Sequence, residues 1–176
     1  VIARTVEELR LFVSPRNPSR GWLRCGPVLA PAALGERGLT RFPREGDRAT
    51  PAGVFRLLEV RYRPDRVRRP RTLLPVRPIR PRDGWCDTPG HRLYNRPVRH
   101  PVPFSAERLW RDDHLYDILV VLDFNIRPRM QGRGSAIFLH VARADLSPTL
   151  GCVAVPLSFL ERMLAHCAPG TCLRTA

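Results

Sequence analysis

The chain contains no lysine: all 30 of its basic residues are arginines. That excludes a lysine nucleophile and a phosphate-cradling P-loop lysine. No stretch approaches the ~18 consecutive apolar residues of a membrane-spanning helix, so no membrane span is expected. No signal peptide is visible, and the chain opens at Val1 without a start methionine, as a processed or trimmed form would. CxxC pairs are absent, and no His/Cys cluster has zinc spacing, so no metal site is expected. Internal repeats and inter-domain linkers are missing too. Nineteen prolines and twelve glycines leave little room for long helices.

What remains points to one packed domain over residues 1–176. An apolar fraction of 43% in 176 residues can bury a sizeable core, and a wholly disordered basic tail is excluded. The formal charge of +14 favours anionic partners. Five cysteines (Cys25, Cys86, Cys152, Cys167, Cys172) leave the redox compartment open. Cys167 and Cys172 flank a turn-like Ala168-Pro169-Gly170-Thr171 that would allow a local bridge.

Short alternating segments read as strands at Leu9–Val13, Trp22–Cys25, Val28–Ala32, Gly53–Tyr62, Leu115–Phe124, Ser135–Val141 and Cys152–Val155. Two helices are predicted. One runs from Ser105 to Trp110. The other starts at Ser158, where Ser158 and Glu161 have capping-box form, and ends before Pro169-Gly170. Arg63–Arg82, dense in Pro and Arg, reads as an irregular excursion and a candidate mobile flap. The segment from Trp85 to Val98 also reads as irregular. The expectation is a mainly β domain with one or two short helices.

His140 ends the apolar run Ala136–Val141, with Ala136, Phe138 and His140 on one face. Cys152 follows within Thr149-Leu150-Gly151-Cys152-Val153. An imidazole beside a thiol can take its proton, and a glycine-flanked turn can expose N–H groups to an oxyanion. The pair alone is a weak signal, since buried cysteine is common.

These residues resemble a family. Ile137-Phe138-Leu139-His140 followed by Thr149-Leu150-Gly151-Cys152-Val153 looks like the active-site region of the YkuD-type L,D-transpeptidases. Upstream, Glu45-Gly46-Asp47-Arg48-Ala49-Thr50-Pro51-Ala52-Gly53-Val54-Phe55 resembles the family's Thr-Pro-x-Gly-x-Phe stretch. Gly35 and Gly38 fit the same region. Leu150 stands where the family pattern has His, Ala154 where many members have Arg, and the His140-to-Cys152 interval is short. Trp85, Tyr94-Asn95 and Tyr116 mark a divergent branch.

The resemblance implies a YkuD-like β-sandwich or barrel-type catalytic domain. It implies Cys152 as nucleophile and His140 as base, with the Gly151 and Cys152 N–H groups as oxyanion donors. Peptidoglycan stem peptides would be donor and acceptor, in the periplasm or cell envelope. Neither cofactor nor nucleic acid is implied, and a monomer is expected. Arg133 or Arg143 would substitute for the missing arginine, and Tyr94 and Tyr116 would line a cleft. L,D-carboxypeptidase, another cysteine cell-wall hydrolase and a non-enzymatic Arg-rich binding module remain as alternatives.

Overall fold

A computed structural model describes residues 5–175. Its elements in chain order are β1 (Glu8–Ser14), β2 (Asn17–Cys25), β3 (Val28–Ala33), β4 (Leu39–Thr40), β5 (Thr50–Pro51), β6 (Val54–Tyr62), β7 (Val76–Pro78) and β8 (Asp83–Cys86). These are followed by β9 (Pro97–Arg99), β10 (Ala106–Arg108), β11 (Ile118–Leu122), β12 (Phe138–Val141), β13 (Val153–Val155), α1 (Leu157–Leu164) and β14 (Cys172–Arg174). The protein is mainly β, as its alternation implies. None of the described residues forms a helix long and apolar enough to cross a membrane.

The main sheet runs β11-β12-β13-β3-β2-β1-β14-β6-β7, and a further pairing of β11 with β6 bends it back on itself into a barrel. Closure leaves few free strand edges to pair with other chains. Period-two burial is clearest in β2, where Ser19, Gly21, Leu23 and Cys25 are buried between exposed neighbours. Alternation splits β12 and β13 as well. Leu139, Val141, Val153 and Val155 join the larger core, while Phe138 and Cys152 join a second cluster with Trp85, Leu109 and Tyr116. The second cluster underlies the functional site.

Several expectations are corrected. Ser105–Trp110 is not a helix: Ala106–Arg108 is strand β10, antiparallel to β8, with Glu107 opposite Trp85. Six residues are too few to repay helix nucleation, whereas pairing satisfies the backbone at once. Ser158 does not cap α1; Pro156 holds the N-cap position, and its carbonyl accepts the Phe159 and Leu160 N–H groups at 3.0 Å. The Arg63–Arg82 stretch is anchored rather than loose. It supplies β7, parallel to β6, and buries Leu74 and Ile79. Arg63, itself buried, pairs with Asp65 and stacks 3.6 Å over the Trp110 ring. Trp85 to Val98 contributes parts of β8 and β9, paired antiparallel. All five cysteines are free thiols: Cys167 Sγ faces the Met163 carbonyl and Cys172 Sγ that of Gly170, both at 3.3 Å.

Candidate active site

Strands β12 and β13 are parallel, with His140 opposite Ala154. Cys152, two residues before Ala154, therefore belongs to the same face as His140 and Phe138. Cys152, His140 and Ala154 all line one cleft of about 460 Å³. The thiol donates to the Ala136 carbonyl at 3.2 Å and accepts the Phe138 N–H at 3.3 Å. His140 Nδ1 lies 2.8 Å from the Val141 carbonyl. A carbonyl can only accept, so Nδ1 carries the proton and Nε2 keeps the basic lone pair. Tyr116 packs edge-on against the imidazole, with ring centroids 5.2 Å apart.

Cys152 and His140 are both held in their neutral forms. Burial, reinforced by the Glu107 carboxylate, pushes the Cys152 thiol up to about 12. Burial also lowers His140 to about 4. A buried thiolate–imidazolium pair would have to bear both desolvation costs before substrate arrives.

The two distant sequence motifs meet behind Cys152. Buried Thr50 accepts the Gly35 N–H at 2.9 Å, and its hydroxyl lies 3.5 Å from the Cys152 carbonyl. Thr149 Oγ1 donates to that carbonyl at 2.6 Å, while the Gly35 segment pairs with Thr149. Gly35 has no room for a side chain: a Cβ there would lie 2.5 Å from the Arg48 carbonyl. Gly151 needs its freedom for a different reason. Its φ of 141° is a region L side chains rarely adopt. Its N–H donates to Thr149 Oγ1 at 3.1 Å, so this donor is engaged.

The cleft has charges of both signs. Glu45, Asp87 and Glu107 line it, as do Arg48, Arg111 and Arg143. Arg111 is gripped by Asp113 at 2.7 Å and approaches Glu107 at 3.5 Å. Glu107 accepts the Tyr116 hydroxyl at 2.5 Å, and burial raises its carboxyl above the usual range. Arg48 pairs with Glu36 at 3.0 Å. Arg143 is freer: its side chain is 52% exposed and its contact with Asp113 is a loose 3.7 Å. Leu150, two residues before Cys152, is exposed at the rim.

Of the predicted site residues, the cleft brings together Cys152, His140, Tyr116 and Arg143, whereas Gly151, Arg133 and Tyr94 do not line it. Tyr94 is fully buried. Its hydroxyl donates to Glu45 at 2.5 Å and accepts the Gly134 N–H at 3.0 Å. Asn95 Oδ1 accepts the Trp85 indole N–H (2.8 Å) and the Ala136 N–H (3.1 Å). The Trp85/Tyr94/Asn95 set thus braces the segment whose carbonyl holds the thiol. Glu107, Arg111 and Asp87 were missed in the sequence. No motif or spacing marks them: Glu107 is one of 16 acidic residues, with Asp112 and Asp113 close behind it. Among the described residues, no three His, Cys, Asp or Glu side chains gather to hold a metal ion.

No curated protein and no solved structure matches the chain at a significant level. The family model of the L,D-transpeptidase catalytic domain (YkuD) matches residues 12–174. That span includes both motifs and every strand of the barrel except the first residues of β1, so the chain belongs to the YkuD family of L,D-transpeptidase catalytic domains.

Proposed function

We propose that the protein is a cysteine-dependent L,D-transpeptidase acting on peptidoglycan stem peptides in the periplasm or cell envelope. The observation that carries this reading is Cys152 and His140 on one face of adjacent parallel strands, opening into one cleft, with His140 Nδ1 tied to a carbonyl. Nε2 takes the thiol proton as sulfur attacks the carbonyl of an L-residue in the donor stem. The oxyanion is held by the Cys152 N–H and by that of Gly151 once it leaves the Thr149 hydroxyl. Collapse breaks the L–D peptide bond, with His140 returning the proton to the leaving amine. The remaining thioester is attacked by an amine of an acceptor stem, which frees the thiol and forms the crosslink.

A cleft with both acidic and basic groups suits a substrate bearing ammonium and carboxylate groups, as stem peptides do. Of the three arginines lining the cleft, Arg143 is the least committed to partners within the protein, so it is assigned to a substrate carboxylate. Arg143→Gln should raise KM about tenfold with little change in kcat, as expected for a lost charge-assisted contact at a partly exposed site. Steady-state kinetics on a disaccharide-tetrapeptide separates the two parameters.

The direct test is intact mass spectrometry after incubation with purified disaccharide-tetrapeptide, beside Cys152→Ala. A Cys152-dependent acyl-enzyme and a dimer lacking one donor fragment are expected, and the lost mass locates the attacked carbonyl. A shortened monomer alone would make the protein a carboxypeptidase. Well-folded protein yielding neither adduct nor product would overturn the catalytic reading.

A further inference from the structure

Away from the catalytic cleft, two concavities of about 400 and 390 Å³ share Arg61 and Arg77 and so form one trough. None of its lining residues lines the cleft. It lies along β6, β7 and the β8–β9 pair. Six arginines line it: Arg61, Arg77, Arg80, Arg96, Arg99 and Arg129.

Only two carboxylates face them, and both are engaged. Glu59 is held by Arg61 at 2.6 Å and by Arg77 at 3.2 Å. Asp83 accepts the Arg80 backbone N–H at 3.0 Å. Among the described residues, the guanidinium groups of Arg80, Arg96, Arg99 and Arg129 have no carboxylate within ion-pair reach. Arg129 is the most informative. Its Nε is buried without any hydrogen-bond partner. Burial and the adjacent Arg96 and Arg127 disfavour its charged form. A cluster of like charges is costly, and an anion in the trough would offset that repulsion.

The shape narrows the anion. Arg61 is only 8% exposed, and the Arg129 Nε is sealed from solvent, so these donors lie below the rim. A slender chain can follow such a recessed floor and meet the unpaired guanidinium groups along it; a flat bilayer surface cannot. The aromatic in the trough is Trp85, which is buried, packed edge-on against Phe138 and covered by Arg61 at 5.4 Å. It offers no platform for stacking bases, which single-stranded nucleic acid requires. Arginine forks match tetrahedral oxyanions bidentately.

We propose that this trough binds a linear polyphosphate-type polymer, one whose repeating unit carries a phosphate anion and no base. The site is independent of the catalytic reading and would dock the protein along an anionic chain.

The test uses the full chain and short linear polyphosphate, titrated by calorimetry at two salt concentrations. Arg80→Gln/Arg99→Gln/Arg129→Gln should weaken binding at least about tenfold and flatten its salt dependence. Arg16→Gln/Arg37→Gln/Arg41→Gln removes the same charge outside the trough and should cost less than about threefold. Thermal melts of both triples should match the parent. Equal losses in the two triples would reduce the effect to overall charge and overturn the site. So would absence of polyphosphate binding, or trough-dependent binding only to vesicles of anionic phospholipid or only to single-stranded DNA.

Discussion

His140→Gln should lower kcat for thioester formation by about 10²–10⁴-fold, the usual worth of a positioned general base. It should also change how stability responds to acid. Folded His140 is held at about 4 by burial, whereas an exposed imidazole titrates near 6.5. Between those values the unfolded chain takes up a proton that the folded chain refuses. The His140 contribution to stability is therefore fully present above about pH 6.5 and is lost as pH falls toward 4, by about 3 kcal/mol in all. In His140→Gln that share of the acid decline should vanish. Melts at pH 7 and pH 4.5 should lie closer together than in the parent. Unchanged kcat would remove His140 from the mechanism, and an unchanged melting gap would mean that other groups govern the acid limb. Cys152 gives the mirror case. Its thiol, held up to about 12, resists ionisation that the unfolded chain undergoes near 8.5, so it costs stability as pH rises above that value.

Asn95→Ala should destabilise the protein by about 3–4 kcal/mol, a large loss for a single side chain. The amide makes four bonds. Oδ1 accepts the Trp85 and Ala136 N–H groups, and Nδ2 donates to the Phe124 and Asn125 carbonyls at 3.1 and 2.8 Å. Truncation leaves buried donors and acceptors unpaired, and it places alanine at a φ of 52° that asparagine tolerates better. The melting temperature should fall by about 8–15 °C. Activity at low temperature should fall as well, because Ala136 loses the bond that positions its carbonyl over the Cys152 thiol. Asn95→Gly keeps the backbone relaxed while losing the same bonds. It should recover only the smaller, conformational part of the deficit. Full recovery by glycine would show that backbone strain, not the hydrogen bonds, is what asparagine relieves.

Much of the architecture was legible because burial in a half-exposed sheet writes a period of two into the chain. The β2–β3 hairpin around Gly26-Pro27 and the hydrophobic centre of β11 show this plainly. Ends were less legible. Leu115–Phe124 shortens to β11 and Ser135–Val141 to β12, because strand ends depend on where a partner stops. Short edge strands were invisible. Residues 63–82 and 106–108 gain their structure from neighbours, β6 and β8, rather than from local propensity. The same division holds at the site. Cys152 and His140 sit in readable motifs, while Glu107 and Arg111 reach the cleft from a segment whose fold is set by tertiary pairing. Tyr94 and Asn95 were noticed as chemistry-bearing residues, but sequence spacing gave no sign that the first points beneath the cleft.

The last strand, β14, lies between β1, to which it is parallel, and β6, to which it is antiparallel. The seam joining the chain's beginning to its middle is thus sealed by residues 172–174, which follow every other element in the chain. During vectorial synthesis the barrel stays open until those residues emerge. A nascent or prematurely terminated chain exposes the facing edges of β1 and β6 together with the apolar positions Leu9 and Leu57 that the closed barrel buries. Three late residues thus decide whether two much earlier strands have an exposed edge or a paired one.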